Sequence, residues 1–458
     1  MLLAAVCLGV LSSGVKPAED PHYVFTGPIS KFAIEGSTPG LPTSGLGFSV
    51  VVSDGGKTVA PTDFDLKSPD WNSPIHVHLT NPSIQGGRLK ATLEMENSSG
   101  LVLEGIRFDC DGAIESFDSK DENNKPIVKT RTQPVSIASP ILLGDLPSND
   151  HADSQSIDIG DLIFAPETRQ ISVNLRLSGL TYLRSVKTHE GCGAGRLSLD
   201  TKGRIYMSDR EGMWRCNPDG SDGSLITKYG DYTSEVVVDP KTGEIVGGPG
   251  NGVRFTRRSV AGDDLGLIPV NEDFDHTPFY PCFAPNGDLY VRLDSVIVMY
   301  RGGKELRRAE KIGTVGLGME GLFDVDAKGS ILLPAEGSLV LISPDWKTTK
   351  RISTGPDWHL GRFMKIDAVR RDSVGNMYVA EKAWDEQQFA PRISVFDANG
   401  HFVRVFGRGD RAPASNVAEQ LNPGQLLGII DMIFGPDGTM YVSSDQIGGG
   451  QINVFRPF

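Results

Sequence analysis

Three histidines stand ahead of recurring glycines in the C-terminal part of this chain: His189 in "KTHEGCG", His276 in "DFDHTPF" and His359 in "DWHLGRF". Three imidazoles that converge hold a Zn²⁺ ion with one position left open, where bound water becomes a nucleophile at neutral pH. Glu320, with Glu190 and Asp431, supplies a carboxylate as a further ligand or general base. The cofactor expected from this set is a divalent metal, Zn²⁺ or Ca²⁺. A second group, Trp358, Arg362, Lys365, Glu381 and Trp384, combines aromatic faces with charged tips and suits a ligand-binding rim, above all for sugars. A plainer reading stands beside both. The histidines lie 14, 11 and 16 residues before Gly203, Gly287 and Gly375, so they need not share a depth. A tryptophan in such a place also packs well in a core.

What would position these residues is a repeat. A turn, a glycine and an apolar pair recur as "DTKGRIY", "DPKTGEIV", "APNGDLY", "DAKGSIL", "DSVGNMY" and "GPDGTMY", with glycines at 203, 243, 287, 329, 375 and 438. Each unit reads as a short apolar strand, a tight turn whose glycine takes positive φ, and further short strands. Four strands in roughly 40 residues is the period of a β-propeller blade, which buries its faces only against its neighbours. The predicted fold is all-β, a six-bladed propeller of four-stranded blades over 180–458. A seventh blade among residues 408–428 is the alternative. The last copy ends at "INVFRPF", one strand short, and "LTYLRSVK" from Leu180 has the length and alternation to close the ring by pairing there.

With "G-x-[ILM]-Y-V" followed by "I-x-V-F-D-x-x-G", residues from Leu180 onward resemble the NHL-repeat family of propellers, in the six-bladed TolB-like group. Two of the units depart from it, with Ile245-Val246 and Ile331-Leu332 in place of the tyrosine pair. The resemblance implies ligand sites on the face where fourth-to-first and second-to-third strand loops open. It supplies no catalytic residue, because no relative's local motif can be laid onto this sequence.

Residues 21–179 read differently. "PIHVHLT", "GRLKATLEMENSSG", "LVLEGIRFD" and "RQISVNLRLSG" alternate apolar and polar residues between turns, the pattern of strands with one buried face. They predict a β-sandwich of immunoglobulin-like form. His76 and His78 in "HVH" share one face of such a strand; a metal pair is conceivable, solvated surface the simpler expectation.

The chain has 458 residues, and the formal charge of −13 opposes nucleic-acid binding, which rests on Lys and Arg against phosphate. Residues 1–20, "MLLAAVCLGVLSSGVKPAED", combine an apolar run with small residues, as in a secretory signal, and the run is too short to span a bilayer. The expected location is secreted or periplasmic. Cys110, Cys192, Cys216 and Cys282 then form two disulfides or remain buried thiols, with thiols favoured in so large a chain. The leading functional expectation is non-catalytic recognition of a glycan, peptide or partner protein. The alternative is a metal-dependent lyase or hydrolase.

Overall fold

The structure is a computed structural model that describes residues 46–53, 58–59, 63–133, 135, 141–146, 148–187, 195–208, 212–228, 234–249, 255–268, 279–293, 296–312, 315–316, 321–335, 338–352, 363, 365–382, 391–407, 426, 428–444 and 450–458. Every regular element among them is a strand. Blade one comprises Leu197–Leu199, Ile205–Ser208, Gly212–Cys216 and Ser224–Lys228; blade two Ser234–Val238, Ile245–Pro249, Phe255–Arg258 and Asp264–Ile268. Blade three holds Phe279–Phe283, Leu289–Leu293, Val296–Arg301 and Lys304–Ala309; blade four Asp324–Val325, Ile331–Ala335, Ser338–Ile342 and Thr349–Ile352. Blade five holds Lys365–Arg371, Met377–Lys382, Arg392–Phe396 and Phe402–Phe406. Blade six begins with Ile429–Phe434, Met440–Ser444 and Gln451–Pro457.

The recurring glycine now has a physical reason. All six turn glycines have positive φ, from 72° at Gly243 to 92° at Gly375, where a side chain would be strained. Each donates its N–H to the residue that opens the turn: Asp200, Asp239, Ala284, Asp326, Asp372 and Gly435. Where that residue is aspartate, its carboxylate accepts the backbone N–H two positions on, as Asp200 does from Lys202 and Asp326 from Lys328, each at 2.9 Å.

First strands of successive blades touch in sequence order, and that of blade six touches that of blade one, so the ring closes on six. Blades five and six meet directly, which leaves no place for a seventh between them. The fourth strand of blade six is the donated segment expected from the sequence. Leu180 pairs with Pro457, Tyr182 with Phe455 and Lys187 with Gln451, in antiparallel register.

That segment is the second half of one long strand, Thr168–Lys187. Its first half pairs with Leu46–Ser53 and with Leu103–Lys120 in a sheet of the N-terminal region. The facing sheet is Asp63–Leu66, Ile75–Gln85, Arg88–Asn97 and His151–Ile159. Ile75, Val77, Leu89 and Leu93 from one sheet and Phe108, Val173 and Leu175 from the other share a single core. Each such side chain contributes about 1.5–3 kcal/mol by leaving water. The sequence boundary at 179/180 therefore falls inside an unbroken strand. Trp71 Nε1 donates to Thr181 Oγ1 at 3.0 Å, Arg404 to Ser178 Oγ at 2.8 Å, and Gly407 N to Glu104 Oε2 at 3.0 Å. The sandwich is thus tied to blades five and six through their outer strands.

Cys110, Cys216 and Cys282 are free thiols, and Cys192 lies outside the described residues. His76 and His78 each face an aspartate on the neighbouring strand, Asp65 at 2.7 Å and Asp63 at 3.0 Å, on a partly exposed face. Among the described residues no helix is long and apolar enough to cross a membrane.

Candidate functional site

His189, His276, His359, Glu320 and Glu190, together with Trp358, Arg362 and Trp384, lie outside the described residues. Among the described residues, no three His, Cys, Asp or Glu side chains come together as a metal site. Lys365 opens the first strand of blade five, its backbone paired with Lys382. Glu381 is not in a loop: it lies in the strand Met377–Lys382 and is 2% exposed. Its carboxylate is occupied by Arg392, at 3.1 and 3.0 Å, and by the Ser394 hydroxyl at 2.6 Å.

The described walls of the channel carry a different constellation. Arg196, Glu235, Tyr280 and Asp431 each stand four residues before the residue that opens their blade's turn. They are therefore one layer of the ring, contributed by blades one, two, three and six. Two residues further along, Cys282, Asp324 and Arg370 form the next layer. Ion pairs cross from blade to blade, within the first layer and between the two. Arg196 Nε pairs with Glu235 Oε2, and the Arg196 guanidinium lies 4.4 Å from the centre of the Tyr280 ring. Arg370 pairs with Asp431 at 2.8 Å and donates to the Phe323 carbonyl at 2.8 Å. Asp431 also accepts the Leu197 N–H at 3.2 Å, which links blade six to blade one. Asp324 is held by Arg371 at 2.7 Å.

The side chains of Arg196, Glu235 and Arg370 are each 15% exposed, so solvent reaches the cluster, whereas Asp431 is sealed at 1%. Burial pushes the Glu235 carboxyl from an ordinary 4.5 up to about 7; Arg196 pulls it down and Asp431 pushes it further up. Such a group is poised to exchange a proton at neutral pH.

A stability prediction follows with a definite sign. The folded state holds the Glu235 proton more tightly than the unfolded chain does. Its contribution is therefore most favourable below pH 4.5 and is lost as pH rises towards about 7. Glu235→Gln is expected to flatten that part of the curve of unfolding free energy against pH, measured by urea unfolding. An unchanged slope would show that Glu235 titrates normally.

Only Asp431 of this cluster is conspicuous in the sequence, as a carboxylate near the start of a blade. The others could have been found by counting back from each turn, since equal offsets in a repeat mean equal depth in the ring.

No family model matches the chain, and no curated protein matches its sequence. Solved structures do. These neighbours are β-propellers. A catalytically inactive virginiamycin B lyase from Staphylococcus aureus, with quinupristin, is 10% identical with a TM-score of 0.40, over 80% of this chain and 99% of its own. A putative gluconolactonase is 13% identical with a TM-score of 0.40, over 60% of this chain and 93% of its own. The extracellular domain of a putative one-component system from B. thetaiotaomicron is 12% identical with a TM-score of 0.40, over 59% of this chain and 39% of its own. Likeness at this level carries no chemistry across. The propeller assignment rests on the closed ring of sheets itself.

Proposed function

We propose that the chain is a secreted or periplasmic, NHL-like propeller with an immunoglobulin-like sandwich, and that it binds a glycan, peptide or partner protein without catalysis. The ligand meets the channel at the end where the first strands begin. The observation that carries this reading is the layer of Arg196, Glu235 and Tyr280, three partly accessible or adjoining side chains from three blades that converge on one axis. Arginine stacked on tyrosine offers both a planar donor and an apolar face, the combination that recurs at recognition hot spots. Trp358, Arg362, Lys365 and Trp384 are assigned to the rim above it. The apolar N-terminal run followed by small residues supports export.

The test is a glycan and peptide array probed with the full chain, followed by affinity measurement on any hit. Trp384→Ala and Trp358→Ala are each expected to weaken binding at least about tenfold, roughly 1.4 kcal/mol, with the thermal midpoint preserved. An array without hits removes the binding reading.

A second reading, a metal-dependent lyase or hydrolase, is favoured by the near-neutral carboxyl of Glu235 in the channel, which suits general acid–base work. It requires His189, His276, His359 and Glu320 to hold Zn²⁺ or Ca²⁺. About one equivalent of bound metal in purified protein, lost in His189→Ala, would establish that site.

A further inference from the structure

We propose that a cleft between blades six and one, at the end of the ring where the six glycine turns lie, binds a small neutral molecule through a planar aromatic ring stacked between Arg184 and Tyr441. The site is separate from the channel and does not depend on the channel reading. The cleft has a volume of about 360 Å³, within the range of small-molecule sites. Leu183, Leu199, Pro218 and Val454 give it apolar walls, and Arg184 and Tyr441 complete the lining on the blade six side.

The repeat itself shows what such a cleft accepts. Across blade six, Tyr441 pairs with Val454 and Val454 with Arg184. Across blade three, Tyr290 pairs with Met299 and Met299 with Arg307. The two rows occupy the same place in their blades. Each arginine also reaches the turn between third and fourth strands of the next blade. Arg184 donates to the Pro218 carbonyl at 3.0 Å, and Arg307 to the Pro344 carbonyl at 3.2 Å. Two residues beyond each proline the blades differ. After Pro344 stands Trp346, its ring centre 4.4 Å from the Arg307 guanidinium and 6.2 Å from the Tyr290 ring. After Pro218 stands Gly220, in a turn closed by the same bond: Gly220 N donates to Asn217 O, and Trp346 N to Ser343 O, each at 2.9 Å.

Trp346 holds a φ of 59°, costly for a bulky residue, yet is only 6% exposed; packing between guanidinium and tyrosine offsets the strain. At the seam the turn cannot supply its own ring. A Cβ on Gly220 would lie 2.6 Å from Val186 Cγ1, and in blade three the smaller Ala309 stands at the position of Val186. The place of the indole is therefore open to a ring that arrives from solvent. Charges around the cleft are matched, which selects a neutral ligand. Arg184 lies in the field of Asp219, and Arg456 is held by Asp70 at 2.7 Å and Asp437 at 3.3 Å. Beside Gly203, Arg204 is paired with Asp200 at 2.7 Å.

The experiment is calorimetric titration of the full chain with indole, with cyclohexylmethanol as the non-aromatic counterpart and the peptide Gly-Trp-Gly as a third probe. Indole is expected to bind with a Kd below about 1 mM, and cyclohexylmethanol at least about fivefold more weakly. Arg184→Ala should weaken indole binding about fivefold, whereas Lys187→Ala, exposed on the same strand, should leave it unchanged. The comparison of indole with cyclohexylmethanol is made on the unaltered protein, so a poorly folded variant does not decide the matter. Absence of saturable indole binding in the millimolar range, equal affinity for the saturated ring, or full affinity in Arg184→Ala would each overturn the proposal. Gly-Trp-Gly binding about tenfold tighter than indole would overturn it too, by assigning the cleft to a partner chain. Indole binding and array hits are read on different ligands, so either reading can fail without the other.

Discussion

Asp431→Ala is expected to destabilise the protein by about 3–5 kcal/mol, the range for removing one partner of a buried ion pair. The carboxylate is 1% exposed, holds Arg370 at 2.8 Å and accepts the first N–H of the strand Leu197–Leu199. Without it, the Arg370 guanidinium stays inside the ring with only carbonyl partners. Blades six and one also lose one of their polar ties. Asp431→Asn should lose less, since the amide oxygen still accepts a hydrogen bond from Leu197. The double change Arg370→Met with Asp431→Leu should recover part of the loss, because no charge is then left buried. Urea unfolding of the four proteins tests this. A single variant within about 0.5 kcal/mol of the parent would mean the pair contributes nothing to holding the ring.

The second large effect is expected at the seam. Phe455→Ala should cost about 3–5 kcal/mol, as for a fully buried aromatic residue whose space does not refill. Phe455 is 0% exposed in the middle strand of the seam, between Met440 on one side and the donated strand at Tyr182 on the other. Its ring contacts Tyr182 at 5.7 Å and Phe406 at 5.6 Å between centroids, so the truncation opens a void shared by blades five and six. Lys187→Ala, exposed on the same donated strand, should stay within about 0.5 kcal/mol and serves as the control. Equal thermal midpoints for Phe455→Ala and the parent would mean that the ring is not pinned at this seam.

The two variants probe different classes of information. The seam was readable: six glycine turns and one missing strand require a donor, and "LTYLRSVK" alternates as a paired strand must. The sandwich was readable for the same reason, since Ile75, Val77 and Leu79 recur every second residue and all face its core. The unbroken passage of Thr168–Lys187 from one sheet to the next blade was less visible, because no change of composition marks position 179/180. Glu381 shows the limit of reading a ligand rim from residue types: it sits at the end of a strand whose cross-strand neighbours Arg392 and Ser394 enclose its carboxylate.

The sequence determined by itself the strands and the turns, because these depend on backbone preferences and on a period of two, properties carried by neighbouring residues; that six blades and not seven close the ring followed only from the direct contact of blades five and six. Only the tertiary structure decided which charges meet in the channel. Arg196 and Glu235 are 39 positions apart and Arg370 and Asp431 are 61 apart. Their ionisation depends on burial and on each other's fields, and both arise only once the ring has closed.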